Sequence, residues 1–285
     1  MSDDHSHRYR GRLAPTPSGL LHLGHARTFW IAQQRAEQAG GDLVLRLEDL
    51  DRTRCKPEYV TAIYADLTWL GLRWQEGPDV GGPHAPYEQQ ARLPFYSEIW
   101  QQLNAAGVIY PSPHSRRDVQ QALSAPHEGD RELIFPPALR PTAFAAVQEP
   151  GAVNWRFCVP DGESIPVVDG RLGQVSYKAG VDFGDFLVWR KDGFPSYELA
   201  VVVDDHAMQI SEVVRGEDLL LSAAKQSLLY HALGWAIPAF YHAPLLRDRQ
   251  GRRLAKRHQA LALRSLRQEG VQPATLRQAW ASELA

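Results

Sequence analysis

Two stretches of this chain carry a regular alternation of apolar and polar positions, and its middle carries none. Near the start, residues 11–14 read as a short strand and 24–39 as a helix closed by Gly40 and Gly41. The apolar positions of DLVLRLEDLD (42–51) predict a strand over 43–47. Residues 57–70 read as a second helix, with Pro57 suited to its first turn and Gly71 to its end. Strand and helix in alternation predict a parallel sheet.

Beyond that, roughly 100–180 reads as an insertion, part loop and part small strands such as AVNWRFCVP (152–160), with a short helix near 116–123. The rhythm returns near 183. ELAVVVDDH (198–206) predicts a buried strand ending in acids, and ISEVVRGED (210–218) another ending in a charged turn. Residues 217–233 predict a helix with apolar positions at Leu220, Ala224, Leu228 and Ala232, stopped by Gly234 and Pro238. The tail, 251–285, reads as a basic loop followed by helical segments.

Composition narrows the class. A chain of 285 residues suits one large domain with an insertion, or two domains. With 44% hydrophobic and 22% charged residues it is an ordinary globular chain. A net charge of −2 excludes a generally basic nucleic-acid binder. The charge is uneven, however: Arg247 to Arg267 holds eight Lys or Arg and one acid, Asp248. That run surrounds a loop, so a phosphate partner and a solvated face both suit it. Cys55 and Cys158 lie far apart and form neither a disulfide framework nor a CxxC metal site. The start, MSDDHSHRYRGR, lacks the apolar stretch of a signal peptide, and no apolar run approaches the ~20 residues that span a bilayer. A reduced, soluble, cytoplasmic protein is expected.

The chemistry concentrates in APTPSGLLHLGHAR (14–27). The prolines fix an extended approach and Gly19 relaxes the turn. If a helix begins near Leu23, His22 and His25 stand three residues apart on one side of its first turn. A helix start attracts phosphate, and Gly24 lets a flat ring lie against the backbone. The pattern suits a nucleoside triphosphate, with imidazoles donating to charge on the α-phosphate. On its own it suits a helix cap and a solvent-facing histidine equally well. A metal site lacks a third ligand. Glu48, Asp49 and Asp51 stand just past a strand, where α/β sheets bind ligands and where a carboxylate can hold an ammonium.

With its flanks, RLAPTPSGLLHLGHART (12–28) resembles the HIGH signature of class I aminoacyl-tRNA synthetases, in the glutamyl and glutaminyl branch. LRLEDLD (45–51), SYELAVVVDDH (196–206) and EVVRGEDLL (212–220) resemble three further stretches of that branch. GRRLAKRH (251–258) resembles its KMSKS loop, with Arg253, Ala255 and Arg257 departing from the consensus and Lys256 keeping it. The resemblance implies the fold: a Rossmann-like parallel sheet in two halves, 8–99 and 181–245. An α+β insertion at 100–180 and a loop with a helical tail at 246–285 complete it. It implies catalytic roles for His22, His25 and Lys256, with Gly24 also against ATP. It implies a glutamate pocket from Arg12 with Leu13, Ala14, Pro15 and Thr16, together with Glu48, Tyr197 and Arg215. In that pocket Arg12 grips the side-chain carboxylate, as an arginine fork can, and Glu48 the amino group. Asp204, Asp205 and His206 would sit at the rim.

Many members hold a structural zinc in the insertion. The four corresponding places here are Ser112, His114, Phe135 and Leu139, and one histidine is not a site. No zinc is expected, and ATP and Mg²⁺ are. Only 28 residues follow Arg257, too few for a helical anticodon-binding region. The chain therefore resembles the truncated branch that activates glutamate and passes it to the queuosine base of tRNA(Asp). Its expected partners are glutamate, ATP and that tRNA, with no membrane and no second copy. Three rivals stand beside this reading: a nucleotidylyltransferase acting on another acid, an ordinary glutamyl-tRNA synthetase, and a retired synthetase that only binds tRNA.

Overall fold

The computed structural model describes residues 8–114, 134–144, 147–246 and 262–284. In chain order the elements are β1 (Arg10–Leu13), α1 (Leu23–Gln38), β2 (Asp42–Leu45), α2 (Pro57–Leu70), α3 (Leu93–Ala105) and β3 (Ile109–Ser112). Then come β4 (Asn154–Phe157), β5 (Ser164–Asp169), β6 (Gly173–Lys178), β7 (Phe186–Trp189) and α4 (Tyr197–Ala207). β8 (Glu212–Gly216), α5 (Leu220–Leu233), β9 (Ala239–Ala243), α6 (Leu263–Gln268) and α7 (Pro273–Leu284) close the series. They fall into two compact units. One holds the residues up to Arg92, Met208–Leu219 and those from Pro238 on; the other holds Leu93–Ala207 and Leu220–Ile237. Among the described residues no helix is long and apolar enough to cross a membrane.

The first unit is the parallel sheet the alternation predicts. β1 pairs in parallel with β2, Arg12 opposite Val44, and a parallel bridge from Val44 to Glu76 continues the ladder after α2. On its other side β1 meets β8. The Arg10 N–H donates to Ser211 Oγ at 2.8 Å, and the Ser211 N–H donates to Arg10 O at 2.9 Å. β8 in turn pairs in parallel with β9, Arg215 opposite His242. Local chemistry sets the helices. α2 starts on Pro57 and stops at Gly71, whose φ of 83° a side chain would resist. α1 buries Ala26, Phe29, Trp30 and Ile31 in a core shared with Leu43, Leu45, Ile63, Leu67 and Leu263. Its far end is tied to β8: Arg35 grips Glu212 through two bonds of 2.7 Å, and Tyr9 donates to the same carboxylate at 2.8 Å. At its near end Arg27 pairs with Glu283 of α7 at 3.1 Å, and Trp30 packs on Trp280.

The second unit is antiparallel. β3, β4 and β7 form one sheet, and β5 and β6 a hairpin. Trp100 of α3 stands edge-on to Trp155 of β4, centroids 4.9 Å apart. The sequence reading leaves α3 unassigned, although Tyr96, Ile99, Trp100 and Leu103, all buried, repeat at helical spacing. The strand expected over 198–206 is a correction: the segment lies inside helix α4. Leu199 to Val203 are all buried, so the run shows no helical face and its three valines mimic a strand. The deciding signal is Ser196, whose Oγ accepts the Leu199 N–H at 3.4 Å and whose carbonyl accepts the Ala200 N–H at 3.0 Å. Asp204 and Asp205 are accordingly not at a rim. Both are buried in α4, and the Tyr96 hydroxyl meets Asp204 at 2.9 Å. His206 is exposed and stacks on Trp235, rings 3.7 Å apart.

The helix expected near 116–123 lies outside the described residues. Around it, Phe135 is buried against Tyr110 with Leu139 beside it, the His114 ring is 6.3 Å from the Phe135 ring, and the Arg156 guanidinium lies 4.2 Å over the Phe135 face. Ser112 Oγ accepts from Arg156 Nε at 3.2 Å. Beneath them Asp185, fully buried, accepts from the Tyr110 hydroxyl, from Arg140 at 2.6 and 2.7 Å, and from the Val159 N–H at 2.9 Å. Burial and the Asp185 bond push the Tyr110 hydroxyl far above the ordinary phenol range.

Removing the acceptor that Tyr110, Arg140 and the Val159 N–H share leaves buried donors unsatisfied, at about 1–3 kcal/mol, while Arg140 keeps its pair with Asp161. Asp185→Ala should therefore lower the unfolding free energy by that amount in urea titrations followed by tryptophan fluorescence. A loss under about 1 kcal/mol, the level of an exposed pair, would contradict this account.

Candidate functional site

Helix α1 begins where the proline-fixed lead meets the histidines. His22 is its N-cap, with extended backbone, and its Nδ1 accepts the Gly24 N–H at 3.1 Å. That bond settles the tautomer: a neutral His22 carries its proton on Nε2, a donor on the far side of the ring. The His22 and His25 rings stack at 3.8 Å between centroids, both half-buried. One glycine makes this possible. A Cβ on Gly24 would come 3.0 Å from His22 Cε1 and 3.2 Å from Nδ1, so the flat ring lying against this backbone is that of His22.

The lead segment is held by backbone bonds to the far side of β2. The Arg46 N–H donates to Leu13 O at 2.9 Å, the Glu48 N–H to Pro15 O at 3.0 Å, and the Lys56 N–H to Pro17 O at 3.1 Å. Leu13 and Pro15 are buried, Ala14 is half-buried and Thr16 is exposed. Arg12 is 4% exposed and donates from Nη1 to Val214 O at 2.7 Å, spanning β1 and β8. Glu48, with a side chain 10% exposed, accepts from Arg46 Nη2 at 3.2 Å.

The other two acids of the turn do different work. Asp49 accepts the Gln90 N–H at 2.9 Å, and burial raises its pKa above the ordinary carboxylate value. Asp51 accepts from Thr53 and Arg54, which hold its pKa down to about 2 in an exposed turn. The ligand-facing role expected of this cluster thus narrows to Glu48.

Arg215 on β8 is 4% exposed, and its Nε donates to Nε2 of His242, its register partner on β9, at 3.1 Å. The first unit therefore holds Arg12, the lead, His22, Gly24, His25, Glu48 and Arg215. Tyr197 belongs to the second unit, where it opens α4 and is 38% exposed. Lys256 and the rest of the KMSKS-like stretch lie outside the described residues. The first described residue after it, Ala262, forms an antiparallel bridge with His22, and the Leu263 N–H donates to Leu21 O at 2.9 Å.

The sequence reading passed over two participants, Arg46 and His242, both fully buried. The available signal was the same for each: one strongly polar residue inside an apolar run, Leu43 to Leu47 and Phe240 to Leu246. Among the described residues no group of three or more His, Cys, Asp or Glu could hold a metal ion.

A histidine pair stacked at a helix start, one ring fixed as a donor, suits anions, and the same unit also holds a carboxylate and buried guanidiniums, groups that suit an ammonium and further anions. The catalytic-domain model of the class I tRNA synthetases (E and Q) matches residues 8–281. The chain belongs to that family. It is a ligase of the aminoacyl-tRNA synthetase type. It is 46% identical over 271 residues to a Glutamyl-Q tRNA(Asp) synthetase of Symbiobacterium thermophilum, covering 93% of this chain and 83% of that relative. It is 44% identical to a protein of the same name from Nitratidesulfovibrio vulgaris, covering 94% and 83%. Among solved structures it is similar to a glutamate tRNA ligase from Elizabethkingia meningosepticum in complex with its amino acid, at 30% identity and a TM-score of 0.74. That likeness covers 88% of this chain and 52% of the longer protein.

Gly24→Ala separates the site from the fold. Alanine favours a helix interior by up to about 1 kcal/mol and the lost His22 cap costs about as much, so the melting temperature should stay nearly unchanged. The His22 ring should nonetheless leave its bond to the Gly24 N–H. Nitrogen-15 spectra of the side chains should show a single Nε2–H tautomer of His22 in the parent and a mixture in the variant. An unchanged tautomer would contradict the assignment.

Proposed function

We propose that this synthetase activates glutamate with ATP and transfers it to the queuosine base of tRNA(Asp). The observation that carries the reading is the 44–46% identity to two proteins named for that reaction, each matched over 83% of its length. In the first step an α-carboxylate oxygen of glutamate attacks the α-phosphorus of ATP in line. The bond from that phosphorus to the bridging oxygen breaks, and pyrophosphate leaves. Glutamyl-adenylate remains for the second step, in which queuosine attacks its carbonyl carbon, the acyl–phosphate bond breaks and AMP leaves.

The roles follow from the residue chemistry. Arg12, a fork beside the lead Leu13–Thr16, takes the side-chain carboxylate, where a two-point donor outdoes a point charge. Glu48 takes the ammonium, and Arg215, in the same unit, completes the pocket. His22 donates from Nε2 to the phosphate oxygens as charge builds there, with His25 stacked behind it and Gly24 leaving both room. Lys256 adds its charge to the same oxygens and to the departing pyrophosphate. Mg²⁺, entering with ATP, would neutralise charge on the phosphates. The donors around His22, neutral or cationic, suit the phosphate oxygens, and Mg²⁺ is assigned no protein ligand. The substrates, ATP and tRNA, place the reaction in the cytoplasm.

Pyrophosphate exchange tests the first step. Glutamate and ATP alone should support exchange, without tRNA. Loss of one donor to a developing oxyanion costs about 10²–10³ in rate, the loss expected of His22→Ala and Lys256→Met. Exchange that needs tRNA would assign an ordinary glutamyl-tRNA synthetase. Exchange with a different acid would point to a nucleotidylyltransferase, and none with any acid to a retired, tRNA-binding chain. Labelled glutamate should then attach to tRNA(Asp) bearing queuosine and not to the same tRNA lacking it. Equal labelling of both would overturn the assignment of the base.

A further inference from the structure

Arg46 follows β2 directly and is 0% exposed. A guanidinium cannot shed its charge by losing a proton, so burying one demands a compensating anion. Its Nη1 points at the Met208 sulfur, 3.8 Å away, and a thioether is a weak, uncharged acceptor. Its Nη2 donates to Glu48 Oε1 at 3.2 Å. The backbone on both sides of the pair is fixed as well: Arg46 N–H to Leu13 O, Leu47 N–H to Tyr87 O at 2.9 Å, and Glu48 N–H to Pro15 O. With the chain held and one carboxylate oxygen engaged by a buried cation, the plane of the Glu48 carboxylate is set before a ligand arrives.

We propose that Arg46 is a positioning residue for amino-group recognition, orienting the Glu48 carboxylate so that the pocket selects a substrate bearing an ammonium. The proposal rests on the reading of Glu48 as the ammonium's partner. Arg46 touches no substrate atom in this scheme. Its effect belongs to the amino group alone and leaves recognition of the two carboxylates to Arg12 and Arg215.

Glutarate, which is glutamate without its ammonium, separates that effect from general damage. The measurement is the ratio of the dissociation constants of glutarate and glutamate, from calorimetry on the intact chain. The parent should prefer glutamate. Glu48→Gln should cut that preference about tenfold or more, the usual scale for breaking a buried hydrogen-bonded charge pair. Arg46→Met should cut it similarly while glutarate binding stays within about twofold, and in the Glu48→Gln background it should change the ratio no further. Arg46→Lys keeps the charge without the fork and should lose only a few-fold. It carries the test if Arg46→Met does not fold, and an unchanged ratio there overturns the proposal. Weakening of both ligands by one factor makes Arg46 merely structural and overturns it too. If Glu48→Gln lowers the ratio and Arg46→Met does not, the positioning role fails and the Glu48 reading survives. If Glu48→Gln leaves the ratio unchanged, the Glu48 reading itself fails.

Discussion

The site depends on one pairing between segments about two hundred residues apart: the Arg10 N–H donates to the Ser211 hydroxyl and the Ser211 N–H to the Arg10 carbonyl, and β8 is thereby seated beside β1. Arg12 then reaches across to the Val214 carbonyl. Arg215, one residue further along β8, faces His242 on β9. Without that seating, Arg12 and Arg215 would be two cations on unrelated stretches of chain. Long-range pairing of this kind costs loop-closure entropy before it returns any contact. The return comes from the bidentate Arg35–Glu212 pair with Tyr9 and from the apolar core around α1.

Buried charge is the second constraint. Arg12, Arg46 and Arg215 are each 4% exposed or less in the same unit, an arrangement that no hydrophobic core would choose for stability. Each is met differently: by a carbonyl, a carboxylate and an imidazole. Buried cations of this kind fit the proposed reading, in which Arg12 meets a carboxylate of glutamate and Arg46 serves Glu48. The histidine pair follows the opposite logic. It stays half-exposed at a helix start, where partial positive charge is already present and costs no burial.

In the insertion, Ser112, His114, Phe135 and Leu139 stand at the places that the family resemblance sets for zinc ligands. Phe135 fills the interior against Tyr110, Arg156 caps its face, and Asp185 gathers Tyr110 and Arg140 beneath. A knuckle closed by a metal and one closed by an aromatic plug over an ion cluster solve the same problem, too little apolar surface in a small lobe. The plug is legible in sequence only as the loss of ligands.

What the sequence determined by itself was set by short-range physics. Proline and glycine positions located α2, and the strand–helix alternation gave the parallel pair β1–β2 and the strand β8, while β9 was not foreseen. The spacing of His22 and His25 around Gly24 put both rings on one turn, because three residues is nearly a helical period. Tertiary structure decided whatever depends on a distant partner. The valine run of α4 is compatible with strand or helix until its burial on every side and the Ser196 cap choose the helix, taking Asp204 and Asp205 inside with it. Of the three acids, Glu48 and Asp51 meet near neighbours, Arg46 and Arg54, and only Asp49 rests on a distant partner, the Gln90 N–H. That His242 would meet Arg215 follows from strand register, which no window of sequence contains, since register is set where two faces bury each other.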